Sequence, residues 1–225
     1  MHKLLIFLSI LNAIALSATE TTWDLIKTKH GVSAYKKHLP NEGLYAFKGE
    51  GFIDHPIDKV LTVLLDNNRA TEWVPKLSEC KIVKSESWPQ SFSQLSLFDA
   101  PWPIKDRYFY SKVSVEINKN NIDIFYHNLD LQPPLTEDKK RNAIQGSIAG
   151  SHYRLIQSPD DNRTFFIATS VVRPYGKIPQ WLINWAGSSM PFDTVKRLNK
   201  QLQKPDINVP GSVKTFMATR LKKAK

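Results

Sequence analysis

Few side chains in this sequence are of the types that carry acid–base or nucleophilic chemistry, and none has the spacing of a known catalytic motif. An enzyme that uses only acid–base groups leaves little local pattern in a sequence, so the lack of a motif does not exclude one. The candidate general acids or bases are His127, His152 and Asp106. The stretch 146–150 (GSIAG) lacks the spacing of a nucleophile elbow. Cys80 is the only cysteine, and the six histidines show no metal-ligand spacing. The sequence therefore predicts no metal and no cofactor.

A charged group, Lys105-Asp106-Arg107, stands at the start of a predicted strand. Neighbouring residues of a strand point to opposite faces, so Asp106 and Arg107 cannot both face one interior. A lone buried charge is costly unless it is paired or bound to a polar group of a ligand. Either one of these side chains ties down a loop while the other meets solvent, or Lys105 or Arg107 faces a ligand. Arg173, before the last predicted helix, is similarly a loop brace or a ligand contact.

Aromatic residues recur in the predicted strands and in the last helix. Each brings a large apolar area, and Tyr and Trp add one polar group, which suits a wide apolar cavity. The set comprises Trp102, Tyr108, Tyr110, Phe125, Tyr126, Tyr153, Phe166, Tyr175, Trp181 and Trp185. Trp181 and Trp185 lie one helical turn apart, on a face that either packs on a sheet or lines the mouth of a cavity. Plain core packing is the alternative for at least half of the set.

The elements that would position these residues follow from hydrophobic periodicity and turn signals. A short helix is predicted over residues 22–27. An apolar stripe from Ile57 to Leu65 predicts a second helix, capped by Asp54, and a third, short helix is predicted over 68–73. Strands are predicted over 32–39, 44–53, 80–85, 92–98, 106–117, 122–127, 144–156 and 164–172. A long helix follows from Pro179 to about Gln203. Residues 129–142 form the one long polar connection, a length typical of lids and binding loops.

Sequential strands joined by short turns predict an antiparallel sheet, whose inner face needs an apolar cover. The last helix is the evident cover. The predicted fold class is therefore α+β, a curved antiparallel sheet wrapped around a long C-terminal helix, with room for a ligand between them.

Three short strings within this order of elements resemble the START (StAR-related lipid transfer) family. They are TEWVP at 71–75, PWPIKDR at 101–107 and GKIPQWLIN at 176–184. The resemblance covers roughly Trp23 to Gln203. It implies a helix-grip fold with a deep apolar tunnel for a lipid, gated by residues 129–142 and the start of the last helix.

The resemblance also implies that the strand at 106–117 brings a charge to the ligand. In the family, an acidic residue on the preceding strand is the partner of this charge. No such residue is evident here, since this chain has Gln94 and Ser96 near that position. The predicted ligand-binding residues are Trp102, Lys105, Asp106, Arg107, Tyr126, Tyr153, Arg173, Trp181 and Trp185. The main hypothesis is a non-catalytic lipid carrier, and the alternatives are an enzyme acting in the same cavity, with His127, His152 or Asp106 as its acid–base group, and a surface adaptor.

The N terminus predicts export. A basic start and an apolar run to Leu16, followed by small residues, are typical of a signal peptide over residues 1–18. The lipid-binding domain is predicted over 19–205, and the basic segment 206–225 as a tail that is either frayed in solvent or in contact with membranes. A net charge of +10 favours anionic membrane surfaces. We expect a periplasmic or secreted monomer that binds no nucleic acid.

Overall fold

A computed structural model describes residues 22–40 and 44–223; the predicted signal peptide lies outside these residues. The strands are β1 Asp24–Lys29, β2 Val32–Leu39, β3 Leu44–Ile53, β4 Leu77–Ser87, β5 Ser91–Phe98, β6 Asp106–Ile117, β7 Asn121–Asn128, β8 Ala143–Gln145, β9 Ser147–Ile148, β10 Ser151–Gln157 and β11 Thr164–Arg173. The helices are α1 Ile57–Leu65, α2 Glu137–Asn142, α3 Gln180–Leu202 and α4 Gly211–Lys223, with a 3₁₀ helix at Asn67–Glu72. None of these helices is long and apolar enough to cross a membrane.

One sheet contains all the strands, in the order β1-β2-β3-β11-β10-β7-β6-β5-β4, with β8 paired to β6 and β9 to β11. Neighbours along this path are antiparallel, whereas β8 runs parallel to β6. The sheet is covered by α3, as predicted. The α+β helix-grip architecture is confirmed.

The first predicted helix is wrong, because residues 24–29 form β1. His30 and Gly31 both have positive φ, 50° and 73°, and close a tight turn that brings Lys29 opposite Val32. Two consecutive positive φ angles suit the right-handed twist of a hairpin. The pairing with β2 therefore overrides the local helical pattern.

The two faces of the sheet pack against different parts of the chain. On the inner face, Phe166 and Leu155 belong to the same buried cluster as Val195 and Leu198 of α3. On the outer face, Leu95 and Tyr108 pack with Leu135, which lies in the connection 129–142. This connection, predicted as a gate, is thus held on the outer face, and Lys139 of α2 also pairs with Glu79 of β4.

The close contact between α3 and the sheet is set by a glycine. A Cβ atom at Gly49 would lie 2.8 Å from Cβ of Pro191, so only a residue without a side chain lets the helix lie this near. Pro191 stands inside α3, where it removes a backbone hydrogen bond of the helix. Beyond this point Val195, Leu198 and Leu202 are all fully buried.

The Glu72 carboxylate anchors the C-terminal end of α3. It accepts hydrogen bonds from Arg69 (2.8 and 2.9 Å), Gln201 (2.8 Å) and Lys204 (2.6 Å). The hydrogen bonds from Arg69, Lys204 and Gln201 hold the pKa of Glu72 below its ordinary value. This end of the helix is therefore tied to the 3₁₀ helix.

The predicted C-terminal tail folds as part of the domain. Residues 211–223 form α4, which packs on α1 and β6. Val213 and Phe216 are buried in the same cluster as the sheet and α3, together with Ile207. The apolar core therefore extends past the predicted boundary at residue 205.

Candidate functional site

The inner face of the sheet is not equally covered along its length. Under the second half of α3 its residues are fully buried, as for Ile124, Leu155 and Phe166. Under the first half, the inward-facing Tyr126 and Tyr153 are only partly buried, although both pack against the same cluster. Open space therefore lies between the sheet and the first half of α3, and we call it the inner cavity.

A cavity of about 670 Å³ lies beside the segment that leads into α3, and we take it as the mouth of this space. Its lining includes Pro103 and Ile104 from the β5–β6 turn, Ile144 from β8, and Ile178 and Pro179 before α3. The remaining lining residues, Lys105, Arg107 and Lys177, are all cationic. The mouth is thus apolar with a basic edge.

Arg107 is the buried charge at this mouth, and backbone carbonyls surround it. Its Nε donates to the carbonyl of Pro174 (2.6 Å) and its Nη2 to that of Tyr175 (3.0 Å), while Nη1 donates to the carbonyls of Lys105 and Asp106. Burial lowers the pKa of Arg107, and Asp106 acts in the opposite direction. Arg107 therefore joins the start of β6 to the segment that leads into α3.

The other charged residues of the predicted group also hold loops. Oδ1 of Asp106 accepts a hydrogen bond from the backbone N–H of Ala100 (2.9 Å) and so closes the β5–β6 turn. Lys105 is exposed, and its Nζ donates to the carbonyl of Arg141 (2.7 Å). Of the two alternatives left open by the sequence, these contacts favour the loop brace for Asp106 and Arg107.

The predicted aromatic and strand-end residues divide between the mouth and the interior. Trp102 is 93% exposed and Trp181 is 57% exposed, so both lie on the rim of the mouth and not in its lining. Trp185, one turn further into α3, is half-buried. Arg173 ends β11 opposite Ser147. Tyr126 and Tyr153 lie on the inner face, and their ring centroids are 5.2 Å apart.

The two strand histidines lie on the outer face, outside the cavity. His152 neighbours the inward-facing Tyr153, so it points the other way. Its Nε2 lies 2.6 Å from Oδ1 of Asp123, and its ring stacks on Phe125 at 4.6 Å. His127 is exposed on the same face. Neither histidine therefore lies where the alternative of an enzyme in the cavity would need it.

A polar cluster on the inner face was not predicted as a site. It consists of Asn67 in the 3₁₀ helix, Cys80 in β4, and Gln94 and Ser96 in β5. Alternation in 92–98 could have found part of it, because Gln94 and Ser96 share the face of the buried Phe92. The contribution of Asn67 depends on long-range packing, which no local pattern reveals.

No family model matches the chain. Its sequence is 22% identical to phosphatidylcholine transfer protein of Bos taurus over 188 residues, which cover 80% of this chain and 84% of that protein. Its structure superposes on human STARD10 with a TM-score of 0.69 and 18% identity, covering 81% of this chain and 74% of that one. The STAR-related lipid transfer protein (fragment 25–204) of Xanthomonas axonopodis gives a TM-score of 0.65 and 24% identity, covering 81% and 99%. The fold is that of START domains.

In this START fold, the open half of the interior lies under the first half of α3. The mouth is bounded by the β5–β6 turn and the segment before α3. Tyr126, Tyr153 and part of the polar cluster, Gln94 and Ser96, lie on the inner face of the sheet. The arrangement suits binding of an elongated, largely apolar ligand.

Proposed function

We propose that this protein binds a lipid in the inner cavity and carries it without chemical change. The observation that carries the proposal is the uneven burial of the inner face. One half is packed solid, while the inward-facing aromatic residues of the other half keep accessible surface beneath a helix. A core filled only by its own side chains has few voids larger than a water molecule.

The names of relatives with similar sequence or fold agree with this proposal. They include a phosphatidylcholine transfer protein and a STAR-related lipid transfer protein. An enzyme in the same cavity would need an acid–base group there, but His127 and His152 lie on the outer face. Asp106 accepts a hydrogen bond from the backbone N–H of Ala100. The positions of these side chains therefore favour a carrier over an enzyme.

Native mass spectrometry of the protein, purified from the compartment in which it is made, tests the carrier. We expect one lipid bound per chain, released intact on denaturation and identified by extraction. The same spectrum gives the mass of the chain and so tests our further proposal that residues 1–18 are removed on export. An empty protein that takes up no member of a lipid panel would contradict the carrier.

We also propose that the rim of the mouth docks on an anionic membrane. Trp102, Tyr175 and Trp181 are all more than half exposed there, and Arg107 joins two of the rim segments through Tyr175. Exposed Trp and Tyr suit the membrane–water interface, and Lys105 and Lys177 supply positive charge beside them. A lipid could then pass between bilayer and cavity without crossing water.

The basic C-terminal helix is not part of this docking surface. Arg220 of α4 donates to Gln90, in the turn that precedes β5. The rim residue Trp102 lies in the turn that follows β5. These turns are at opposite ends of one strand, so α4 lies away from the mouth.

Replacing both Trp102 and Trp181 by Ala should weaken binding to vesicles of phosphatidylcholine and phosphatidylglycerol by about tenfold or more, since each loses an apolar surface at the interface. Co-sedimentation measures this. Trp88→Ala is the matched control, because Trp88 is 42% exposed at the far end of β5. Vesicle binding that survives the double substitution, or that is lost equally in the control, would contradict docking through the rim.

A further inference from the structure

A second cavity lies apart from the mouth of the inner cavity. It measures about 390 Å³, a volume typical of small-molecule sites. Its lining residues fall within 62–69, 81–88 and 206–213, so it is enclosed by the end of α1, the 3₁₀ helix, β4 and the C-terminal segment. In the described part of the chain it shares no lining residue with the mouth. We call it the C-terminal cleft.

Two polar contacts hold the C-terminal segment in place around the cleft. Nη1 of Arg69, in the 3₁₀ helix, donates to Oδ2 of Asp206 (2.8 Å), and both residues line the cleft. Arg220 of α4 donates to Gln90, which lies two residues beyond the lining residue Trp88. The cleft is therefore a preformed space, and it exists because the C-terminal segment packs on the domain.

Much of the lining of the cleft is apolar. Val63, Leu65 and Val213 are each 2% exposed and form its buried side. Ile82 and Trp88 also line it but keep 37% and 42% of their surface exposed, so they stand at its opening. A ligand that covers these two side chains would remove their apolar surface from water.

Four charged side chains line the cleft, and three of them are already paired. Arg69 is paired with Asp206 (2.8 Å), and Nζ of Lys81 lies 3.0 Å from a carboxylate oxygen of Glu79. The fourth is Asp66, which is half-buried. Its carboxylate has no hydrogen-bond or ion-pair partner among the residues that the structure describes. The charge that the cleft leaves uncompensated is therefore negative.

The position of Asp66 in the chain strengthens its preference for a cation. It directly follows α1, whose described last turn, residues 62–65, contains no basic side chain. The C-terminal end of a helix carries a partial negative charge, because its last carbonyl groups have no partners within the helix. A carboxylate at this end is unfavourable by itself, and a bound cation would offset both charges.

The next residue, Asn67, also lines the cleft and offers a second acceptor. Its Nδ2 donates to Gln94 (2.6 Å) and to Cys80 (3.2 Å) on the side of the sheet. Its Oδ1, on the other branch of the planar amide, is buried without a hydrogen bond in the described part of the chain. Such atoms are rare in folded proteins, because each costs the desolvation of its group. An ammonium group, with three N–H donors and no acceptor, suits a carboxylate and an amide oxygen on consecutive residues.

We propose that the C-terminal cleft binds a small amphipathic amine in its protonated form. The ammonium group donates to the carboxylate of Asp66, and Oδ1 of Asn67 supplies a second acceptor. The apolar part of the amine covers Ile82 and Trp88. Trp88 lies at the end of β5 away from the rim, so the amine enters from water and not from a docked bilayer. This site is independent of the lipid that the inner cavity holds.

Three probes of similar shape test the amine site: 2-phenylethylammonium, 2-phenylethanol and 3-phenylpropanoate. The indole N–H signal of Trp88 in a ¹H–¹⁵N NMR spectrum, assigned by its absence in Trp88→Phe, reports binding in the cleft. We expect the ammonium probe to shift this signal with a Kd of about 1 mM, an ordinary affinity for so small a ligand. The alcohol should bind about tenfold more weakly, because a hydrogen bond to a charged group is stronger than one between neutral groups. The carboxylate should bind more weakly still.

Asp66→Asn removes the charge and keeps the shape of the side chain. We expect it to weaken the ammonium probe about tenfold, the effect of one charged hydrogen bond, and to leave the alcohol unchanged. Asp58→Asn is the matched control, since Asp58 is an acid in the first turn of the same helix and lies outside the cleft lining. It should leave the affinities of both probes unchanged.

The outcomes decide the amine site without involving the carrier. A Trp88 signal that stays in place up to about 20 mM of the ammonium probe would overturn it, since that is well above the expected Kd. So would an alcohol or carboxylate that binds as tightly as the ammonium, or an Asp66→Asn variant that binds the ammonium like the wild type or like Asp58→Asn. Vesicles of phosphatidylethanolamine present the same ammonium group on a lipid. If they shift the signal and the free amine does not, the ligand is a headgroup and the proposal is wrong.

Discussion

Replacing Ser170 by Trp should abolish lipid binding while the domain stays folded. Ser170 lies on β11 opposite Phe47 and shares the inner face with Phe166 and Ala168. It is nevertheless exposed, so its side chain faces the open space under the first half of α3. An indole at this position would occupy that space and collide with a lipid, not with packed atoms. We expect the amount of co-purified lipid to fall by more than about tenfold, since a filled pocket leaves no room for the ligand.

The matched control is Thr169→Trp. Thr169 neighbours Ser170 on β11, and it pairs with His152 on the outer face. The substitution Thr169→Trp places the same side chain on the same strand but outside the cavity, so the amount of bound lipid should be unchanged. The free energy of unfolding, from urea titration, should change by about 1 kcal/mol or less in Ser170→Trp, because no close contact is broken. Full lipid occupancy in Ser170→Trp, or its failure to fold, would show that the space is not a ligand cavity.

The strands that the sequence placed best are those with the clearest alternation. The bounds of β6 agree with the prediction at both ends, since polar and apolar residues alternate from Lys112 to Ile117. The predicted strand 144–156 is instead three short pieces: β8 pairs with β6, β9 with β11, and β10 with both β7 and β11. Gly146 lies against the ring of Phe109 at this break. The break depends on partners distant in sequence, which periodicity does not contain.

The site was less predictable than the fold, because side-chain partners decide it. The sequence allowed Arg107 to brace a loop or to face a ligand, and only the carbonyls of Pro174 and Tyr175 favour the brace. The assignment of His152 to a face required the register of β10, which places Tyr153 inside. Asn67 could not be associated with Gln94 until the 3₁₀ helix was packed on the sheet.

Removal of residues 206–225 should destroy the cooperative folding of the domain. If this segment were a solvated tail, its removal would leave the free energy of unfolding unchanged. Three residues of this segment, Ile207, Val213 and Phe216, are each at most 9% exposed and belong to the main core. Burying a large apolar side chain stabilises by about 1.5–3 kcal/mol, so the loss for three is roughly 4.5–9 kcal/mol. That is comparable to the whole stability of an ordinary domain, about 5–15 kcal/mol. Urea unfolding followed by tryptophan fluorescence measures the loss.

A single substitution separates packing of α4 from its charge. Phe216→Ala should lower the free energy of unfolding by about 3 kcal/mol, the usual cost of a large-to-small change in a core. Thr215→Ala, on the exposed side of the same helix turn, should change it by less than about 0.5 kcal/mol. If the truncated chain unfolds at the same urea concentration as the full chain, or if the two substitutions behave alike, α4 is a tail after all. A large loss in Phe216→Ala alone establishes that the C-terminal helix completes the core that supports the closed half of the cavity.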